Sequence, residues 1–345
     1  MSGFRWNAAL AALTAAALCG WSGDGRAQAG DDALSGKTIS IVIGYGPGGG
    51  FDTYARVLAE HLGRHIPGVR TVVAQNMPGA GSMKAANYVF NVAAQDGTVL
   101  GIFNENMTLN QVLEPRGMKF DVRKFQWVGR LGMRPTLDIV WRSSGITSLQ
   151  DATKKEVVLG GTSGSDYGSQ VVRALNDFIG TKFKVVHGYK GTAEIYLAME
   201  RREVMGLSFA AAEEVTNGHP EWLRDKQISV LQINGVARLP AFPDVPTIVE
   251  LAKTPEQRQI MTFLASKIEI GRSFTAGPDV PKATIALLRK AFDATVRDPK
   301  LVADAKKRNV DVSPMTGQDL EKLIAEVLAI KPDLVEKMKK ILNPA

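Results

Sequence analysis

Five glycines break the stretch IVIGYGPGGGFDTYARVLAEHL, Ile41 to Leu62, between an apolar run and a segment of helical periodicity. Gly44, Gly46 and Gly49 spell G-x-G-x-x-G, the spacing with which a strand–loop–helix turn cradles a pyrophosphate. A dinucleotide site also needs an acidic residue about 20 positions on, at the end of the next strand, to hold the ribose hydroxyls. Here that strand ends in Gln75 and Asn76. Pro47 removes one N–H donor from the loop, and no Lys-Ser or Lys-Thr follows the glycines as a P-loop requires. No cofactor is expected. What survives is simpler chemistry. Tight glycine turns that point N–H groups outward, at the positive end of a helix, suit a small anion. Asp52 is placed to cap that helix.

The device recurs. GPGGGFD, MPGAGS and TSGSDYGS each follow an apolar run and open a helical pattern. In an open α/β sheet such loops gather at the carboxyl ends of the strands, where ligands bind. Loops from the two halves of the chain, facing each other, would clamp a small anion. The plainer alternative is that the glycines only permit tight turns. Arg134, just before a strand near the join of the halves, could make a bidentate bond to a carboxylate or an interdomain ion pair. Asn104 follows the third strand and could donate to a carboxylate, and Tyr45, Phe51 and Tyr167 could stack on a ring. Signs of catalysis are few. Ser165 and Asp166 adjoin, but no histidine accompanies them and no G-x-S-x-G elbow exists. His61 and His65 stand four apart without a completing metal motif and read as surface residues, so no metal site is expected.

Strand-like runs alternating with helical patterns carry these loops, the signature of parallel α/β layers. Runs 38–45, 70–76 and 98–104 are the strands of a first unit, with helices after the first two. Ser82 is placed to cap the second helix. Run 137–141 reads as a connecting strand, and 156–162 as the first strand of a second unit. Runs 183–189, 204–210 and 227–233 continue that unit. PKATIALLRKAF, 281–292, is a strong late helix, and Pro332 splits the last helical segment in two.

The first 29 residues read as a secretory signal peptide: Arg5, then the short apolar run 8–18, then AQAG with an A-x-A cleavage site after Ala29. Cys19, the single cysteine, falls inside it, so the mature chain holds no disulfide or thiolate chemistry. The chain carries a net +7. The leader's Arg5, Arg26 and Asp24 account for +1 of it, leaving +6 on the mature protein. Basic residues are dispersed, with no aromatic–basic alternation, so nucleic acid is not a partner. The address implied is the periplasm.

The motifs GPGGGFDTYARVLAEHL, VVAQNMPGAGSMKAANYV, DGTVLGI, GYKGTAEIYLAM and PDVPTIVEL, in this order, resemble the periplasmic substrate-binding proteins of tripartite tricarboxylate transporters, the Bug or TctC-like family. The resemblance covers nearly the whole mature chain. It implies an α/β type II periplasmic binding protein fold: two α/β domains with a ligand cleft between them and two crossover connections. Residues 1–29 are then the signal peptide, 30–135 plus 256–345 domain 1, and 136–255 domain 2. It implies a monomer that captures a small organic acid by closing the cleft and delivers it to the transporter's membrane permease subunits. Carried over by motif, the first loop contributes Gly48, Gly49, Gly50 and Asp52. The second contributes Asn76, Pro78, Gly79, Ala80, Gly81 and Ser82. The other domain contributes Thr162, Ser163, Gly164 and Ser165, with Tyr189, Lys190, Gly191 and Thr192. The chain departs from the family's pattern at Gly44-Tyr45-Gly46, at Gln75, at Asp166-Tyr167-Gly168 and at Met205-Gly206, all on or beside the expected cleft. The alternatives are an exported hydrolase using the same cleft and a sensor presenting its ligand to a receptor. Expressed with its leader in a Gram-negative host, the mature protein is expected to begin at Gly30; N-terminal sequencing that finds Met1 retained overturns the leader assignment.

Overall fold

The computed structural model describes residues 33–342 apart from 114, 116, 165 and 190, so the expected leader lies outside the described residues. In chain order the strands are β1 (Thr38–Ile43), β2 (Thr71–Asn76), β3 (Val99–Ile102), β4 (Gln126–Gly132), β5 (Thr136–Trp141) and β6 (Val157–Gly160). β7 (Phe183–Val186), β8 (Gly206–Ala211), β9 (Ile228–Ile233), β10 (Arg272–Ala276) and β11 (Met315–Thr316) follow. The longer helices are α1 (Gly50–Leu62), α2 (Met83–Asn91), α3 (Asn106–Leu113), α4 (Tyr167–Ile179) and α5 (Thr192–Glu200). After them come α6 (Pro255–Ile270), α7 (Lys282–Val296), α8 (Pro299–Lys307), α9 (Gly317–Leu328) and α10 (Pro332–Leu342).

Two sheets form, ordered β11-β4-β10-β3-β1-β2 and β7-β6-β8-β5-β9. Period-two alternation sends Ile39, Ile41 and Ile43 of β1 to a core with Leu58, Leu62, Leu288 and Phe292, and Val42 to the opposite core with Ala86, Val89 and Trp127. Helices therefore cover both faces of the first sheet. The second sheet is covered likewise: Val140, Leu159 and Leu175 pack with Phe263 and Leu264 on one face, and Leu137, Ile139, Ile195 and Met199 on the other. The last helix, α10, lies against α4 and α3.

Both sheets are mixed, not purely parallel. β10 runs antiparallel between β3 and β4. The run read as a connector is β5, paired antiparallel to β8 and β9 inside the second sheet. β4 and β10 escape sequence reading because each is an interior strand that carries an arginine, and β4 holds two glycines as well. Burial of Arg130 in β4 is offset by bonds from its guanidinium to the Ser313 and Glu269 carbonyls and by an ion pair with the Glu269 carboxylate.

The chain leaves the first sheet at Gly132, enters the second at Thr136, and returns along α6, which ends one residue before Gly271 and two before β10. The two crossings touch. Gly271 has φ +49°, and a methyl built on it would sit 2.5 Å from the Gly132 carbonyl oxygen. Only glycine permits both the conformation and the approach.

Inside the second sheet Asp138 is 2% exposed. It accepts from Ser208 Oγ at 2.8 Å, Gln232 Nε2 at 2.9 Å and Asn234 Nδ2 at 2.8 Å. Burial outweighs these donors and pushes its carboxyl up to about 7 from 3.8. The folded state then binds more protons than the unfolded state between those values, so stability falls as pH rises from about 4 to about 7. Asp138→Asn is expected to flatten that slope, by an amount on the order of 1–4 kcal/mol across the window, in urea titrations at stepped pH. An unchanged slope overturns the assignment.

Candidate functional site

Strand direction decides where the loops go. β1, β2 and β3 are parallel, so the segments after Ile43, Asn76 and Ile102 leave one edge of the first sheet. β10 is antiparallel to β3, so its first residue, Arg272, lies on that same edge, with the end of β4 beside it. In the second sheet β6 is parallel to β7 and β8. The segments after Gly160, Val186 and Ala211 therefore share an edge with Arg134, which precedes antiparallel β5. Both crossings join these two edges, and the edges face each other across a cleft.

The first glycine loop is built around Asp52, which is 4% exposed. Its carboxylate accepts the Gly48 N–H at 2.9 Å, Arg56 Nε at 2.9 Å and Asn76 Nδ2 at 2.8 Å. The hydrogen bond from Arg56 is the main reason its carboxyl is held down to about 2. Asn76 Nδ2 also reaches the Tyr45 carbonyl at 2.9 Å. Asp52 and Asn76 thus lock the first loop to the second and have no free acceptor or donor to aim at a ligand. Gly49, Gly79, Ala80 and Gly81 stay exposed, as do Gly50 and Pro78. Gly50 and Phe51 open α1, and the first N–H groups of a helix have no intrahelical acceptor. Ser82 makes no side-chain cap on α2. Its hydroxyl instead donates to the Gly44 carbonyl at 3.2 Å, and a methyl on Gly44 would sit 2.3 Å from that hydroxyl oxygen. Ser82 is a tie between loops.

The second sheet's loop follows the same logic. Asp166 accepts the Thr162 N–H at 2.6 Å, the Thr162 hydroxyl at 2.8 Å, the Ser163 N–H at 3.0 Å and the Ser169 N–H at 2.7 Å. Donors expected for a ligand are held by the protein's own carboxylate. Gly164 is half-buried beside them, and Tyr189, Gly191 and Thr192 lie half-buried on the same sheet edge. Ser165 and Lys190 lie outside the described residues. Asn104 Oδ1 accepts the Asn106 N–H at 2.9 Å and so starts α3.

Sequence reading missed a buried charge cluster at the crossings. Glu105, Lys267 and Arg272 are 5%, 5% and 3% exposed. Lys267 Nζ and Arg272 Nη1 approach Glu105 at 3.8 and 3.7 Å, ion-pair distances too long for hydrogen bonds. Burial alone would raise the Glu105 carboxyl; Lys267, Arg272 and Arg134 outweigh it and hold it below the usual range. Burial pushes the Lys267 ammonium down to about 8. Lys267 also sits 3.9 Å above the Tyr167 ring, whose hydroxyl donates to the Leu264 carbonyl, so Tyr167 is spoken for. Tyr45 and Phe51 stack on each other at 4.5 Å, and the Arg272 guanidinium lies 3.8 Å from the Phe51 ring. Burial and then Glu105 push the Tyr45 hydroxyl up to about 12. Arg134 is half-buried and makes no hydrogen bond or close ion pair among the described residues; Glu105 from one lobe, and Glu214 and Glu213 from the other, act on it. No single sequence motif links these residues; an isolated Glu, Lys or Arg carries no sign of being buried.

Elsewhere, Ser169 Oγ lies 3.0 Å from His187 Nε2, but it is 2% exposed and donates to the Ser163 carbonyl, which is a structural bond and no poised nucleophile. His61 is 7% exposed, not a surface residue, and pairs with Asp304 across α1 and α8. Glu60, His61 and Asp304 could gather a cation, yet Arg308 already bonds both carboxylates.

A jointed pair of α/β lobes with glycine loops on the edges that both crossings join is the architecture of the two-domain periplasmic binding protein fold. Residues 54–340 match the tripartite tricarboxylate transporter family receptor, and the chain belongs to that family. It is similar to a UPF0065 protein of Agrobacterium vitis, 25% identical over 301 residues, 85% of this chain and 80% of that protein. It is also similar to a UPF0065 protein of Cupriavidus necator, 25% identical over 345 residues and covering 96% and 94%. Among solved structures, a TctC solute-binding protein from Polaromonas superposes with TM-score 0.67 at 18% identity, covering 89% of this chain and 98% of that one. A Rhodopseudomonas palustris protein with bound malate gives 0.60 at 18%, covering 89% and 99%. An R. palustris protein with adipate gives 0.64 at 20%, covering 88% and 98%. The family is one of solute-binding receptors, not enzymes. Among the described residues no helix is long and apolar enough to cross a membrane.

Asp166→Ala removes the α4 cap and the acceptor for three N–H groups. A loss of about 1–2 kcal/mol is expected in urea unfolding; no loss would show that the loop does not depend on its internal carboxylate.

Proposed function

We propose that this chain is exported by its first 29 residues, works as a monomer in the periplasm, and captures a small organic acid between its lobes for delivery to the membrane permease of a tripartite transporter. The observation that carries the reading is that exposed glycine loops of one lobe and the half-buried Arg134 of the other lie on the two edges that both crossings join. The exposed first-turn amides of α1 supply fixed dipoles, and a carboxylate closed into such a cleft is stabilised far more than in water. Hinge closure then separates the ligand from solvent without chemistry on it. The candidate contacts are Gly49, Gly50, Gly79, Ala80, Gly81, Asn104, Arg134, Gly164, Tyr189, Gly191 and Thr192; Gly48, Asp52, Asn76, Ser82, Thr162 and Ser163 hold those loops in shape.

The test is a thermal-shift screen of mono-, di- and tricarboxylates and aromatic acids, joined to mass spectrometry of ligand carried through purification. At least one carboxylate is expected to raise the Tm. Arg134→Ala is expected to weaken binding of that acid by about 1.5–3 kcal/mol, roughly 10- to 150-fold, in calorimetric titration. A screen in which no organic anion stabilises the protein removes the reading.

A further inference from the structure

Arg272 packs its guanidinium on the Phe51 and Tyr54 rings and pairs with Glu105, yet most of its hydrogen-bonding capacity is unused. It begins an interior strand, is 3% exposed, and among the described residues neither its Nε nor its Nη1 meets a hydrogen-bond partner. Among the described residues its near carboxylate is Glu105, shared with Lys267 at 3.7 and 3.8 Å, and Glu105 Oε2 makes no hydrogen bond there. One carboxylate cannot neutralise two buried cations. The guanidinium is also aimed at a second positive end. A methyl built on Gly50, the first residue of α1, would sit 2.9 Å from Arg272 Nη2, and the Phe51 ring lies 3.8 Å from the guanidinium carbon. A helix N-terminus carries roughly half a positive charge. Placing an arginine against it, buried, raises the energy of the ligand-free cleft and rewards an arriving anion. Glu213 acts on Arg272 only from the opposite lobe.

We infer that Arg272 is the residue that makes this cleft select an anionic ligand group over its neutral amide, an inference that rests on the cleft being the ligand site proposed above. A carboxylate and its primary amide have nearly the same shape. Backbone N–H donors serve the one oxygen the two have in common, so donors on that oxygen alone discriminate weakly between them. The buried cation discriminates through charge. It acts on the anion directly or across the first turn of α1, and Glu105 moderates it as a built-in counter-ion.

The experiment measures Kd by calorimetry for malate, adipate and benzoate, each beside its amide. Wild type is expected to favour the acid of at least one pair by about tenfold or more. Arg272→Met should bring that ratio close to one while leaving amide affinity within about threefold. Arg272→Lys should keep most of the ratio, because it keeps the charge. Glu105→Gln should raise the ratio. Because Arg272→Met leaves Glu105 short of a partner and can fail to fold, the double variant Glu105→Gln, Arg272→Met is the fallback, expected to fold and show the lowered ratio. A ratio unmoved in the Met variant or the double variant, or acid and amide affinities falling together, overturns the inference and leaves a packing role. Where the thermal-shift screen finds a different acid, that acid and its amide are the pair measured; if no organic anion binds wild type, the organic-acid reading and this inference fail together.

Discussion

Strand β10 lies antiparallel between β3 and β4, and its first residue stands on the edge where the parallel strands end. From that single placement the outgoing crossing at Gly132 and the returning one at Gly271 are pressed backbone to backbone. The lobes then share a joint at the mouth of the loops and not at the far side. Gly132 to Arg134 and Ile270 to Arg272 are the strand-to-strand passages between the sheets, while α3 and α10 also bridge the lobes by packing in the second sheet's core. The buried charges Glu105, Lys267 and Arg272 converge on that joint. A joint of this kind is costly in desolvation, and the loose 3.7 to 3.8 Å pairings leave the cost only partly offset.

The glycine loops are shaped from within. Asp52 and Asp166 each collect N–H donors that a sequence reading assigns to a ligand. The loops are thereby preorganised, since a carboxylate of the protein fixes their amides before any solute arrives. Preorganisation lowers the entropy cost of binding. It also divides the loop residues into those that hold shape and those that stay exposed. Gly49 and Gly79 to Gly81 fall in the second group.

Charge balance in the cleft sets this chain apart from a site made of dipoles alone. Arg134 stands between carboxylates of both lobes, and Arg272 and Lys267 share one. The aromatic residues do different work from what their loop positions suggest. Tyr45 and Phe51 stack on each other, and Tyr167 lies under Lys267.

Local pattern alone determined the class of fold. Period-two apolar runs, helical periodicity and recurring glycine turns are short-range signals, and they placed the parallel strands, their helices and the loops that end them. The motif order also pointed to the family that residues 54–340 match. Tertiary structure decided the rest. β4 and β10 are interior strands despite their arginines, because burial of Arg130 is offset by carbonyls distant in sequence and Arg272 sits beside Glu105. Whether an amide or hydroxyl in a loop is free or taken depends on where one aspartate points. Ser82 could have capped a helix but bonds Gly44, 38 residues away. Sequence spacing reports which residues are near along a chain, whereas a charge cluster drawn from the turn before α3, from α6 and from β10 exists only once the long stretch between Glu105 and Lys267 has folded.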